Sequence, residues 1–182
     1  ITASFVSLFL ELSLIRWVPA HVFSVAFFSN VILIASFLGL GLGFLLSEKK
    51  LEMFHAFPLC LLIFIIVILL LENIQITLPS NAQVWIWSYY QGNRLYAPPF
   101  KISIIGILAI IFSLIVLLFI PLGQKIGKLM AGFNPLYGYT LNILGGLFGV
   151  MCFGAFSFFN TPAFAWFFVA GFLAVLILYK NK

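Results

Sequence analysis

Two ionisable side chains interrupt the first apolar run of the chain, Glu11 and Arg16 in Phe9-Leu10-Glu11-Leu12-Ser13-Leu14-Ile15-Arg16-Trp17. A carboxyl and a guanidinium in such a setting could pair, move a proton or hold a charged solute. Five residues turn a helix through roughly 140°, so the two do not share a face as an i,i+4 pair would. Arg16 stands near the end of the run and can extend towards headgroups. Glu11 stands about midway and needs a partner. The other acids, Glu48, Glu52 and Glu72, fall at the ends of apolar runs, which leaves no string of acids for a proton relay. His21 and His55 fall at opposite interfaces and cannot share a metal or a haem within this chain. Cys60 and Cys152 lie in apolar runs with no CxxC or Cys/His spacing. No catalytic residue, metal or cofactor is expected.

The elements that position these groups follow from composition. Hydrophobic residues make up 64% of the chain and charged residues 7%, with a mean hydropathy of +1.24. A soluble domain carries about a quarter charged residues, so the lipid bilayer is the expected solvent. The formal charge of +5 then marks loops and orientation, since no basic stripe could follow a phosphate backbone and no nucleic acid is expected. A crossing helix needs roughly 20 mostly apolar residues. Six runs qualify: 1–18, 22–46, 53–71, 102–122, 136–158 and 162–179. The fold class is thus all-α, a polytopic transmembrane bundle in a single membrane domain. Pro19-Ala20-His21 and Asn160-Thr161-Pro162 read as tight turns, with Thr161 a helix cap and Pro162 in a first turn.

Polar and small residues predict how the runs pack. Glu11 is nine residues before Ala20 and Asn30 ten after it, which sets them at nearly the same depth. Asn30 is therefore the expected donor to Glu11; the alternative is that Glu11 faces a partner protein. Gly39-Leu40-Gly41-Leu42-Gly43 and Asn142-Ile143-Leu144-Gly145-Gly146-Leu147-Phe148-Gly149 each set glycines four apart. Such faces admit a close helix approach, so the second and fifth runs are expected to cross at Gly39, Gly43, Gly145, Gly146 and Gly149, with Asn142 beside them.

Six crossings leave both ends on one side, with Lys49, Lys50, Lys125, Lys128, Lys180 and Lys182. The other side has Arg94 and Lys101. The positive-inside rule makes both termini cytoplasmic and the protein multi-pass in the cell (inner) membrane. The external segment 72–101 carries Trp85, Trp87, Tyr89 and Tyr90, which suit the headgroup layer or a lid over an external pocket.

Three stretches carry a family resemblance. Ala3 to Trp17, Ala26 to Gly43 and Tyr139 to Gly149 resemble the membrane helices of bacterial membrane-bound spermidine/spermine synthase-like proteins. The resemblance covers the first, second and fifth runs. It implies a multispan region preceding a cytoplasmic domain of aminopropyltransferase or methyltransferase type, here beyond Lys182, and it carries over no catalytic residue. With Ile1 first and Lys182 following an apolar run, the chain is expected to be a piece of a longer one. Three function classes result. The first is a non-catalytic domain that anchors or assembles with other membrane subunits or copies of itself. The others are a transporter of a small solute, a cationic one included, and a membrane enzyme acting on lipid or quinone.

Overall fold

The computed structural model describes residues 1–26, 28, 30–50, 52–72, 75–77 and 101–180. Among them are six helices of 15 residues or more, α1 Thr2–His21, α3 Asn30–Leu45, α4 Phe57–Leu71, α5 Ile104–Ala131, α6 Pro135–Phe158 and α7 Ala163–Lys180. A four-residue helix, α2 Phe23–Ala26, precedes α3, and a 3-10 turn, Met53–Ala56, leads into α4. The bundle is all-α apart from two three-residue strands, β1 Gln75–Thr77 and β2 Lys101–Ser103. These pair in parallel, with Gln75 opposite Lys101, and join the end of α4 to the start of α5.

Thr2–His21, Met53–Leu71, Ile104–Ala131 and Pro135–Phe158 are long and apolar enough to cross a membrane; Asn30–Leu45 and Ala163–Tyr179 are apolar but shorter. At 1.5 Å per residue the 16 residues of α3 span about 24 Å, short of the ~30 Å hydrocarbon core. Their apolar outer surfaces, with exposed residues such as Ile34, Leu62, Leu117, Phe148 and Phe168, are those of a membrane protein.

Helix α1 is the axis of the bundle. It touches every other helix, and it is the most buried of the four long ones. It is also the least apolar of the four. Its serines and its carboxylate account for both facts, because in lipid it is the polar face that must be enclosed. Aromatic edges join it to α6 and α7. The Phe9 ring meets Phe153 and Phe156 edge-on at 5.8 Å each, and Trp17 meets Phe167 at 4.8 Å.

The glycine faces pack closely, but not on each other. Gly39 and Gly43 of α3 lie on α5, where a Cβ at Gly39 would stand 2.6 Å from the Val116 carbonyl oxygen and one at Gly43 would strike that of Ile120. Gly123 and Gly127 of α5 answer them: a Cβ at Gly123 would lie 2.8 Å from Leu40 Cα, and one at Gly127 2.7 Å from Ser47 Cβ. Gly145 and Gly149 of α6 lie instead on α1, 2.9 Å from Ile1 Cα and 2.5 Å from the Phe5 carbonyl oxygen by the same measure, while Gly146 meets the flexible end of Leu8. The expected crossing of the second and fifth runs is therefore replaced by two crossings, α3 with α5 and α1 with α6. Spacing tells that a helix comes close, not which helix.

Three boundaries also differ from expectation. The helical run of α1 continues through Pro19 to His21, since Pro19 stands in its last turn and the Val22 N–H still reaches the Val18 carbonyl at 2.8 Å. The second run is divided at Ala26 and restarts at Asn30, linked by turn bonds through Phe28. The fourth run continues nine residues past Leu122, because Gly123 and Gly127 still pack on the end of α3. The last turn is tight, as expected, but Thr161 does not cap α7, which begins at Ala163; its hydroxyl donates back to the Phe156 carbonyl of α6 at 3.0 Å and accepts from Trp166 Nε1. Asn160 adopts a left-handed φ of 50°, the Thr161 N–H reaches the Phe156 carbonyl at 3.1 Å and the Asn160 N–H that of Ser157 at 3.2 Å, a Schellman closure of α6.

Replacing Gly43 or Gly123 by Leu is expected to destabilise the bundle by about 1–3 kcal/mol, the usual cost of overpacking. Gly41→Leu, which meets open space, should stay within about 0.5 kcal/mol. Unfolding in mixed micelles compares the three; equal losses at 41 and 43 would rule out the packing of α3 on α5.

Candidate intramembrane polar site

Glu11 is 2% exposed and Ser36 wholly buried. The Ser36 Oγ donates to Glu11 Oε1 at 2.8 Å and also stands 2.9 Å from the Leu33 carbonyl oxygen, one turn back on α3. Ser36 has one hydroxyl proton for these two acceptors, so the pair can share it in only one direction at a time. Glu11 Oε2 is buried and has no hydrogen-bond partner among the described residues. An orphaned buried oxygen costs about 1–3 kcal/mol.

The expected donor, Asn30, is elsewhere. It opens α3 and is exposed, six residues and therefore about 9 Å along the axis from Ser36. The depth count failed because it assumed one continuous helix from Val22. Arg16 does not reach Glu11 either. It turns to the opposite side of α1, where its Nη1 donates to Ser157 Oγ and its guanidinium lies 5.5 Å from the Trp166 ring centre. Trp166 is itself held by an Nε1–H donated to Thr161 Oγ1 at 2.7 Å. Arg16 thus links the ends of α1, α6 and α7 at one end of the bundle.

On α1, Ser4, Ser7 and Glu11 follow at i, i+3 and i+7, a single stripe. Ser4 and Ser7 are buried. They line a groove of about 440 Å³ between α1, α3 and α6, walled by Phe37, Leu40, Leu147 and Val150, with Asn142 on the α6 side. Ser4 and Asn142 also border a smaller opening beside Ile126 and Met130 of α5. Asn142 is thus at this groove rather than at a crossing with α3. A second groove, about 560 Å³ between α1, α4 and α7, is apolar except for His21 at its edge.

At the far end of the bundle from Arg16, Gln124 is 2% exposed and holds a chain turn. Its Nε2 donates to the Leu46 carbonyl at 3.0 Å and its Oε1 accepts the Met53 N–H at 2.8 Å. Around it, Glu52 lies 3.9 Å from His55 and 4.0 Å from Lys128, and Lys125 sits 5.8 Å from the Phe54 ring centre. Among the described residues no three His, Cys, Asp or Glu side chains gather as a metal site. Cys60 and Cys152 are free thiols. Trp85, Trp87, Tyr89 and Tyr90 lie outside the described residues.

Sequence reasoning passed over Ser4, Ser7, Ser36 and Gln124. The Ser4-Ser7-Glu11 spacing was a usable signal, being a polar stripe in an apolar helix. Gln124 gave none, because its role depends on a turn contributed from 71 residues away.

No protein-family model matches the chain, and no significant match was found to a curated protein or to a solved structure.

A double-mutant cycle between Glu11→Gln and Ser36→Ala is expected to show a coupling of about 1 kcal/mol, the usual worth of an interhelical hydrogen bond in lipid. Asn30→Leu should change stability by less than about 0.5 kcal/mol. Coupling of Glu11 to residue 30 instead would restore the expectation that this structure displaces.

Proposed function

We propose that the chain is a multi-pass domain of the cell (inner) membrane with both termini cytoplasmic, and that its work is anchoring and assembly, not catalysis. The observation that carries this is where its small and polar residues are spent. Gly39, Gly43, Gly123 and Gly127 hold α3 to α5, Gly145 and Gly149 hold α6 to α1, Gln124 holds the turn between α3 and α4, and Arg16 holds three helix ends. Such side chains build a rigid body with a lipid-facing exterior.

Helix α6 is the least buried of the four long helices and presents Tyr139, Ile143, Leu147, Phe148 and Met151 outward, a face suited to neighbouring membrane helices. The resemblance to the membrane region of spermidine synthase-like proteins supports a domain that holds a cytoplasmic partner at the bilayer. The orientation draws support from the end of the bundle at Gln124, where Lys49, Lys50, Lys125 and Lys128 belong to the two chain segments that meet there.

Alkaline phosphatase fused after Lys182 is expected to be inactive, and the same enzyme inserted after Gln83 active. Native mass spectrometry of the chain drawn from its own membrane in nanodiscs should show an assembly heavier than its 20.4 kDa. A lone chain that moves a solute or turns over a lipid after reconstitution would overturn the reading.

A further inference from the structure

We propose that the Gln124 end of the bundle binds one anionic phospholipid, its phosphate held by Lys125, Lys128 and His55 and an acyl chain laid between α4 and α7. The inference does not depend on the anchoring role. It starts from a basic recess and an apolar groove that meet end to end.

Three segments build the recess. Gln124 accepts the Met53 N–H at 2.8 Å and so fixes the 3-10 turn that carries Phe54 and His55 against α5. Lys125 and Lys128, three residues apart, share the face of α5 that meets this turn. Leu178 of α7 closes the remaining side. The charges here are loosely matched. Glu52 stands 3.9 Å from His55 and 4.0 Å from Lys128, beyond hydrogen-bond length, and its side chain is 61% exposed. Lys125 faces the Phe54 ring, and among the described residues no carboxylate lies within 4.0 Å of it. Lys49 and Lys50 follow Leu46, whose carbonyl Gln124 also holds, and add two exposed cations at this end.

The recess measures about 20 Å³, which admits an oxygen or two and not a whole head group. A phosphate at its rim places oxygens between the two lysines and the imidazole, with the rest of the head in water. What adjoins the recess selects a lipid over a free phosphate. Pro58 stands three residues past His55, and Val175 three before Leu178, so within one turn the recess gives way to the groove of about 560 Å³. That groove follows α4 from Pro58 to Leu69, about 16 Å, close to the roughly 15 Å that one acyl chain fills in a leaflet. Gly171 forms part of its floor, where a Cβ would only just reach Leu61 Cδ2 at 3.9 Å, leaving width for a hydrocarbon chain. Two acids, Glu48 and Glu52, share this end with the four lysines, so the balance favours an anionic head over a zwitterionic one.

Native mass spectrometry of the full chain in detergent micelles, titrated with phosphatidylglycerol, phosphatidylcholine or glycerol phosphate, tests the proposal. One phosphatidylglycerol should bind about tenfold more tightly than phosphatidylcholine of the same chain length, and glycerol phosphate should neither bind nor compete at those concentrations. Lys125→Gln and Lys128→Gln are each expected to weaken phosphatidylglycerol binding about fivefold. Glu52→Gln should strengthen it about threefold, a gain that no misfolded variant would give. Val175→Trp, exposed in the groove and outside the recess, should weaken both phospholipids. Equal binding of the two phospholipids, competition by glycerol phosphate, no gain in Glu52→Gln, or binding unchanged in Lys125→Gln or in Val175→Trp would overturn the proposal.

Discussion

A carboxyl group in hydrocarbon has to be enclosed by protein, and Glu11 places that requirement on the middle of α1. The remaining helices arrange themselves to meet it. Exposed to lipid, the charged or half-paired group would cost several kcal/mol; surrounded, it needs only the Ser36 hydroxyl and a close-fitting wall. Hence the least apolar long helix is the central one, in contact with all the others. A soluble bundle is built the other way, with its most apolar helix inside. The inversion follows from the solvent, since lipid tails attract leucine as well as another helix does.

Enclosure needs short distances, and glycine provides them. In lipid the helices gain little from hiding apolar surface, so dispersion contacts between backbones carry much of the association. Two crossings share the task. The α3–α5 crossing uses glycines from both helices, Gly39 and Gly43 against Gly123 and Gly127, and brings Ser36 to face α1 at a fixed height. The α1–α6 crossing has glycines on α6 alone, and α1 answers with the small Ser4 and with backbone at Ile1 and Phe5. Large aromatic side chains then fill what the glycines leave, Phe9 between Phe153 and Phe156 being the clearest case.

The six apolar helices were legible in the sequence because run length is a direct consequence of membrane thickness. Their ends were not. Gln124, Lys125 and Lys128 read as a loop after Leu122, yet α5 carries them as it continues, held by Gly123 and Gly127 against the end of α3. The same spacing of four that identified Gly39 and Gly43 was present at Gly123 and Gly127 and was overlooked on the far side of a presumed boundary. For Glu11 the need for a buried polar partner was legible, and the identity was not. Counting depth from a turn assumes an unbroken helix, and with the division between Ala26 and Asn30 the partner lies about one and two-thirds turns further on, at Ser36 instead of Asn30.

Gln124 and Glu11 show two outcomes of one rule. In the segment between α3 and α4 the Leu46 carbonyl accepts the Lys49 N–H and has a second lone pair to offer, while the Met53 N–H opens the 3-10 turn and has no partner within it, and such part-buried backbone groups look for side-chain partners. A primary amide has one acceptor and one donor head, and Gln124 applies both, 2.8 Å from the N–H and 3.0 Å from the carbonyl. A carboxyl has two oxygens that each need a partner of their own once buried. Ser36 is one donor, and its single proton is also within reach of the Leu33 carbonyl. If full satisfaction inside the bundle were all that position 11 required, an amide or an apolar residue would meet it at lower cost. The carboxyl at Glu11 leaves one oxygen over among the described residues, enclosed where α1 meets α3, and it is the close packing of those helices that has to hold it there.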